Sequence, residues 1–385
     1  MSAHLPHLNK RVLAVFLVVG LPILALGIGI VLALGQARLT ESYGRHLAQV
    51  AQQTASSVDA YVFRRLLDVS LIARTPDLRR DARLASARTF VPAETDALDK
   101  AWQQPGARPD ALAALLQTPV SRYLADIVAH DRIYRELLLS DRHGRLVAAS
   151  GPTTDYFQGD EDWFKTAIEG SGQVMVTDVR WDESARVHAV EIAVPVPEPE
   201  SDVLAGVLKV VTDSREMLAA VGGVEFGASG QAMLLRENGT IVFSRRTSDP
   251  SARFFASDDV QQTAQKLLAG GPEASNYFKA SSPEGETQLI GLAASQLGRS
   301  YRHLNWIVAV TQSERESLAP VQAIGWYLLV VFGLTVAVVL LLALWFSVRL
   351  EAPAVEEDMH LVEHAPVSHV GDVDESPMSS NSAKV

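Results

Sequence analysis

Apolar and polar positions alternate on three length scales along this chain. The coarsest is set by two uncharged apolar runs, residues 12–37 and 317–348. Each exceeds the roughly 20 apolar residues that cross a bilayer. They predict membrane-spanning helices over 12–35 and 322–348, with residues 36–320 together on one side. The next scale is helical. From 38 to 75 there is one glycine and no proline, and Leu39, Tyr43, Leu47, Val50, Val58, Tyr61, Val62, Leu66 and Val69 recur at mostly helical spacing. A long amphipathic stalk helix is predicted there, about 55 Å in length at 1.5 Å per residue. Its apolar stripe requires cover, either from its own domain or from a partner helix in a homodimer.

Residues 76–130 carry Pro76, Pro92, Pro105, Pro109 and Pro119 between polar, alanine-rich runs and predict short helices broken by loops. After Asp131 the shortest scale takes over. LLLSDRHGRLV at 137–147 and MLLRENGTIV at 233–242 share one pattern: an apolar run, an acid, a glycine turn and an aliphatic strand. That is a hairpin signal. The closing strands GVLKVVTD at 206–213 and NWIVAVTQ at 305–312 also match. Self-similarity at this period predicts two related modules of about 100 residues. QVMVTDV, VHAVEIAVPV and DVLAGVLKVV complete the first sheet, and SNYFKAS, TQLIGLAAS and LNWIVAV the second. Successive antiparallel strands with helices to one side define an α+β class.

Charge orients the plan. Lys10 and Arg11 precede the first apolar run and Arg349 follows the second, so both termini read as cytoplasmic. A cleaved signal peptide is the competing reading of the N-terminus, but its apolar core would be shorter, about 7–15 residues. The chain has no cysteine, which removes disulfides and thiolate metal sites. A net charge of −11 argues against nucleic acid as a partner. Residues 349–385 are acidic, with proline and serine mixed in and little helical period, and read as a disordered tail. The tail is too short for a kinase, a cyclase or a methyl-accepting coiled coil.

This order of span, long helix, two tandem modules and span, together with DYFQGDEDWFKTAIEG at 155–170, resembles the double Cache family. These are PAS-like extracytoplasmic sensor domains of bacterial receptors. VTDVRWDESARVHAVEIAVPV at 176–196 resembles the next strands and their turn. The resemblance covers about residues 36–320. It implies a stalk helix over 36–75, a membrane-distal module over 76–222 and a membrane-proximal one over 223–318. It further implies a double-pass protein of the bacterial inner membrane, a homodimer, and a separate signalling partner. In amino-acid-binding members a Tyr-x-x-Arg-x-Trp-Tyr arrangement holds the ligand, the arginine gripping its carboxylate, with a later aspartate on its ammonium. Here Trp163 and Phe164 match the aromatic pair, Tyr156 the leading tyrosine and Asp182 the later acid, while Glu161 stands where the arginine would be.

That exchange changes the chemistry. An arginine fork accepts a carboxylate, which a glutamate repels. If Tyr156, Glu161, Trp163, Phe164, Asp178 and Asp182 converge, the site is aromatic and acidic and suits an amine or another small cation. A hard metal ion held by Asp160, Glu161, Asp162, Asp178 and Asp182 is the second reading, though no calcium-loop spacing is present. The plain alternative is that Asp160 and Glu161 favour the positive end of a helix while Trp163, Phe164, Ala167 and Ile168 form its buried face. No Gly-x-Ser-x-Gly elbow, His-Glu-x-x-His or phosphate loop occurs. No cofactor is implied. The readings are a ligand-binding receptor subunit, an accessory envelope protein that uses the same fold for protein contacts, and, least supported, a periplasmic enzyme.

Overall fold

The computed structural model describes residues 16–349, apart from 105–109, 170–172, 183–185, 202, 248–253, 255–261, 263–264, 267–275, 282–284 and 302. The N-terminal 15 residues and the tail from 350 lie outside the described residues, as does most of the expected helical insert of the second module.

A π-helical turn at Phe16–Gly20 leads into α1, Leu21–Ala73, a single helix of 53 residues. At 1.5 Å per residue it spans about 80 Å. The expected boundary between apolar run and stalk is therefore no break in the backbone. The reason is local: nothing between Gln36 and Leu39 caps or stops a helix. Along the stalk, Leu47, Ala51, Ala55, Val58, Val62, Leu66, Val69 and Ala73 are all buried. Steps of three and four residues put them on one face.

Three of the prolines in the next segment start helices: α2 at Pro76–Ser86, α3 at Pro92–Trp102 and α5 at Pro119–His130. A first-turn proline loses no intrahelical bond. Between the last two lies α4, Asp110–Leu116. The first sheet follows: β1 Tyr134–Asp141, β2 Leu146–Ala149, helix α6 Asp162–Glu169, β3 Met175–Val176, β4 Arg180–Asp182, β5 Val187–Pro197 and β6 Leu204–Asp213. Its order is β2-β1-β6-β5-β3, with β4 also on β5, and every pairing is antiparallel. Helix α7, Arg215–Gly222, leads to the second sheet. This contains β7 Glu225–Phe226, β8 Gly230–Leu235, β9 Ile241–Ser244, β10 Tyr277–Ser281, β11 Thr287–Ala294 and β12 Ile307–Ser313. A short α8, Leu297–Ser300, precedes β12. The order is β10-β11-β12-β8-β7, with β9 on β8, again antiparallel.

The two matched hairpins are real. Gly144 and Gly239 occupy their turns at φ 88° and 79°, a region that costs glycine nothing. In the first, the buried Asp141 carboxylate accepts the backbone N–H groups of His143 and Arg145, both at 2.9 Å, and pairs with the Arg145 guanidinium at 2.6 Å. Arg145 in turn donates to the Ala85, Arg88 and Thr89 carbonyls, pinning the hairpin to the end of α2.

Two expectations need correction. The strand expected over 173–179 is reduced to β3, Met175–Val176, and β4 starts only at Arg180. Asp178 interrupts them: its side chain turns back to the Val179 N–H at 2.8 Å and outward to the second module. The helix expected to open at Asp160 begins at Asp162. The buried Gln158 bonds the Asp155 side chain at 2.6 Å, and a turn closes from Glu161 N–H to the Gln158 carbonyl.

One apolar core runs through both sheets. Leu47, Val58, Val62 and Val69 of α1 pack with Leu137, Ile192 and Leu208 of the first sheet and Leu234, Leu289 and Val308 of the second. The stalk helix is thus a spine shared by the two modules. Asp59 fixes its position on the second, accepting from Ser295 Oγ at 2.5 Å and Gln296 N–H at 2.9 Å. Gly291 of β11 lies so close to the helix that a Cβ there would come within 2.3 Å of the Leu47 backbone.

The last strand passes directly into α9, Glu314–Arg349, which takes in the second apolar run. It begins before the expected 322, because no glycine turn separates Ser313 from Glu314. Both α1 and α9 are long and apolar enough to cross a membrane, and none of either apolar window is buried in the protein. Residues Gly27–Leu329, with both sheets, form one body.

Candidate functional site

The face of the first sheet turned away from the spine carries charge where apolar residues would be expected. Alternate residues of a strand share a face. Val190, Ile192, Leu208 and Val210 point into the spine core, so Glu191 and Lys209 point the other way. Pairing aligns Glu136 of β1 and Glu191 of β5 on either side of Val211, and sets Lys209 in the next row between Leu138 and Ala193. Three charges from strands far apart in sequence therefore share one patch. Lys209 is only 14% exposed and lies 3.7 Å from the Glu191 carboxylate.

Helix α6 covers this patch. Trp163 and Phe164 meet edge to face at 5.7 Å and pack on Ala193 and Val207. The Lys209 ammonium lies 5.6 Å from the Trp163 ring centroid, within range of a cation–π attraction. Trp163 is 3% exposed, and its indole N–H has no hydrogen-bond partner among the described residues. A buried donor without an acceptor is costly. It marks a place where an acceptor is expected.

The electrostatics are acidic. Burial pushes the Glu136 carboxyl up, Lys209 opposes, and Asp182, Glu191 and Asp155 push further up. Glu161, exposed just before α6, is also pushed up, first by partial desolvation and then by Asp155. Lys209 pairs with Glu191, while Asp155, Asp182 and Glu191 act together on the Glu136 carboxyl. An added cation beside Glu136 would favour its charged form.

The residues named from sequence divide into three places. Trp163 and Phe164 sit on α6 beside the patch, Glu161 immediately precedes that helix, and Asp182 is near enough to act on Glu136. Tyr156 packs with Trp102, Leu138 and Leu146 over the β1–β2 hairpin, Leu138 being the strand neighbour of Lys209. Asp178 is not in the group. It receives Arg236 Nε at 2.5 Å and Trp306 Nε1 at 2.8 Å, both from the second module. His303 bonds the Val176 carbonyl alongside. The metal reading loses its ligand set with Asp178, and no group of three or more His, Asp or Glu side chains suited to a metal ion occurs among the described residues. Glu136, Glu191 and Lys209 were not singled out from sequence. The available signal was a charge within each largely apolar strand, but only register shows that they meet.

Two tandem antiparallel sheet modules on a shared helical spine, with a charged and aromatic patch under the α6 helix, define a PAS-like sensor-type fold. The Cache domain family model matches residues 36–321, and the chain belongs to that family. Among solved structures it is similar to the ligand-binding domain of the Pseudomonas aeruginosa PAO1 amino-acid chemoreceptor PctC in complex with GABA. That match has 15% identity and a TM-score of 0.45, covering 70% of this chain and 100% of that one. The corresponding domain of PctB from the same organism, in complex with L-Arg, matches at 16% identity and TM-score 0.46, covering 77% and 99%. That of the Campylobacter jejuni chemoreceptor Tlp3 with 4-methylisoleucine matches at 13% and 0.45, covering 72% and 94%. No curated protein matches the chain.

Proposed function

We propose that this chain is a membrane-anchored extracytoplasmic receptor subunit that binds a small amine, or an amino-acid-like cation, in its first, membrane-distal module. The observation that carries the reading is the patch on the outer sheet face: the buried, upshifted Glu136 carboxyl and the Lys209–Glu191 pair, with a buried indole N–H at Trp163 that lacks an acceptor among the described residues. The ammonium of a ligand would sit among Glu136, Glu161 and Asp182. Any acceptor atom it carries would meet Trp163 Nε1 and Lys209. Charge-assisted bonds of this kind are about twice as strong as neutral ones.

The fold offers a route outward. Strands β3 and β4 border the patch, and Asp178 between them grips Arg236 and Trp306 of the second module. That module ends in β12, which continues as α9. Glu316 in the first turn of α9 accepts the N–H groups of Ala228 at 2.7 Å and Ser229 at 2.9 Å. A ligand that favours one arrangement of the patch would bias α9, and through it a separate partner across the membrane. Phe63, Leu67 and Leu71 stand exposed at four-residue spacing on α1, Leu67 and Leu71 at 61% each, and supply the contact face of a homodimer.

The test is a thermal-shift series on the full chain in detergent with amines, amino acids, carboxylates and divalent cations. A ligand at 100 times its Kd stabilises by about 2.7 kcal/mol. An amine-specific, saturable rise in Tm that is lost in Glu161→Arg and weakened in Glu136→Gln is expected. Absence of any rise in a folded sample, or a rise that both variants retain, overturns the reading in favour of an accessory protein.

A further inference from the structure

The same module holds a cavity of about 470 Å³ whose lining includes none of Glu136, Trp163, Glu191 and Lys209. It lies between α2, α3, α4 and the β1–β2 hairpin. One side of it is apolar and aromatic, from Leu84, Leu98, Leu115 and Trp102, whose ring meets that of Tyr156 at 5.5 Å and a tilt of 44°, and the rest includes polar and charged side chains. Two polar groups face it without a protein partner among the described residues, the Tyr156 hydroxyl and the Arg88 guanidinium.

The other charges at this cavity are already matched. Asp141 is saturated by Arg145 and two backbone N–H groups, and the Arg145 guanidinium is used up on Asp141 and three carbonyls. Asp81 is claimed by Arg80 at 3.1 Å. Arg88 remains as the unmatched charge, close enough to act on the Tyr156 hydroxyl. A planar guanidinium beside a phenolic O–H donor is the pairing a carboxylate fits, through a bidentate fork and one further bond. The leucines and the Trp102 indole suit a ring, which stacks or tilts against an aromatic wall. A cavity of this volume, with an apolar and aromatic wall facing a few convergent polar groups, has the character of a small-molecule site.

We infer that this cavity is a binding site for a small aromatic carboxylate, separate from the amine site, with Arg88 and Tyr156 holding the carboxylate and Trp102 with its leucine neighbours holding the ring. Its occupant would tie α2 and α3 to the hairpin, so that it could act on the module independently of the first ligand.

Isothermal titration of the full chain in detergent tests this with benzoate, phenylacetate and indole-3-carboxylate, against cyclohexanecarboxylate and benzylamine as comparators. Saturable binding of the aromatic acids in preference to both comparators is expected. Arg88→Gln, at an exposed side chain without partners, should weaken binding roughly tenfold or more, and Tyr156→Phe several-fold, the scale of charge-assisted and neutral hydrogen bonds respectively. Lys209→Met should leave it unchanged. No saturable binding to the folded chain, binding indifferent to Arg88→Gln, or binding abolished by Lys209→Met would each overturn the assignment.

Discussion

At the scale of single residues, Glu136 couples ligand and proton. Its carboxyl is pushed above the ordinary value of 4.5, chiefly by burial. The folded chain therefore holds that proton more tightly than the unfolded chain. The stability Glu136 contributes is fully present below the ordinary value and is lost as pH rises through the raised one. Glu136→Gln should flatten this part of the stability profile, measured by denaturant unfolding between mildly acid and neutral pH. Amine binding runs the opposite way, because it needs the ionised carboxylate. Affinity should rise with pH over the same window, and titrations in buffers of different ionisation enthalpy should show a proton released on binding. Asp178 gives a sharper contrast. Its removal leaves the Trp306 N–H and Arg236 without their acceptor, so Asp178→Ala should cost about 1–3 kcal/mol of stability. It should leave amine affinity in place, which calorimetry on the folded variant would check. Sequence singled Asp178 out as an acid near the pocket motif. Nothing local could show that its partners lie more than fifty residues downstream.

Among elements, α1 was the most legible, since a stripe at three- and four-residue spacing is written directly in the chain. What the stripe packs on was not legible. Leu47 is fully buried where α1 meets β11, and Leu47→Ala should destabilise by about 2–5 kcal/mol in chemical unfolding. On the other side of the helix, Leu67→Glu with Leu71→Glu replaces exposed leucines. Such surface changes usually stay within about 0.5 kcal/mol. Sedimentation should therefore show a monomer of undiminished stability, and a persistent dimer would remove α1 as the contact face. The paired hairpins were equally clear, because turn chemistry is local. The broken β3–β4 edge was not, since its interruption serves a bond to another module. The late start of α6 follows from Gln158 turning inward to Asp155, a contact with no periodic signature.

The behaviour of the whole molecule turns on how the sheets are joined to α9. The Glu316 carboxyl is held below its ordinary value, first by the Ser229 hydroxyl and then by the Ala228 N–H. What it contributes is thus present above the ordinary carboxylate value and is lost as pH falls through the lowered one. Glu316→Gln weakens the clamp while leaving the distal patch untouched. Amine should still raise Tm in this variant, whereas a spin-label distance change between α1 and α9 seen on adding amine to the wild type should shrink. An unaltered distance change would show that the clamp carries no signal.

The sequence by itself determined the two apolar helices, the amphipathic spine, the tandem hairpins and the α+β class with its Cache resemblance. Each of these depends on residues close together in the chain, where spacing and turn chemistry act directly. It also brought Trp163 and Glu161 forward, because they sit in one short motif. The tertiary structure decided which charges share a face. Glu136, Glu191 and Lys209 meet through the register of β1, β5 and β6, and a slip of one residue would send any of them to the opposite side. The tertiary structure also gave Asp178 to partners in the second module. Pairing between distant strands is fixed by burial of the whole core around α1, a sum over many residues that no local pattern contains.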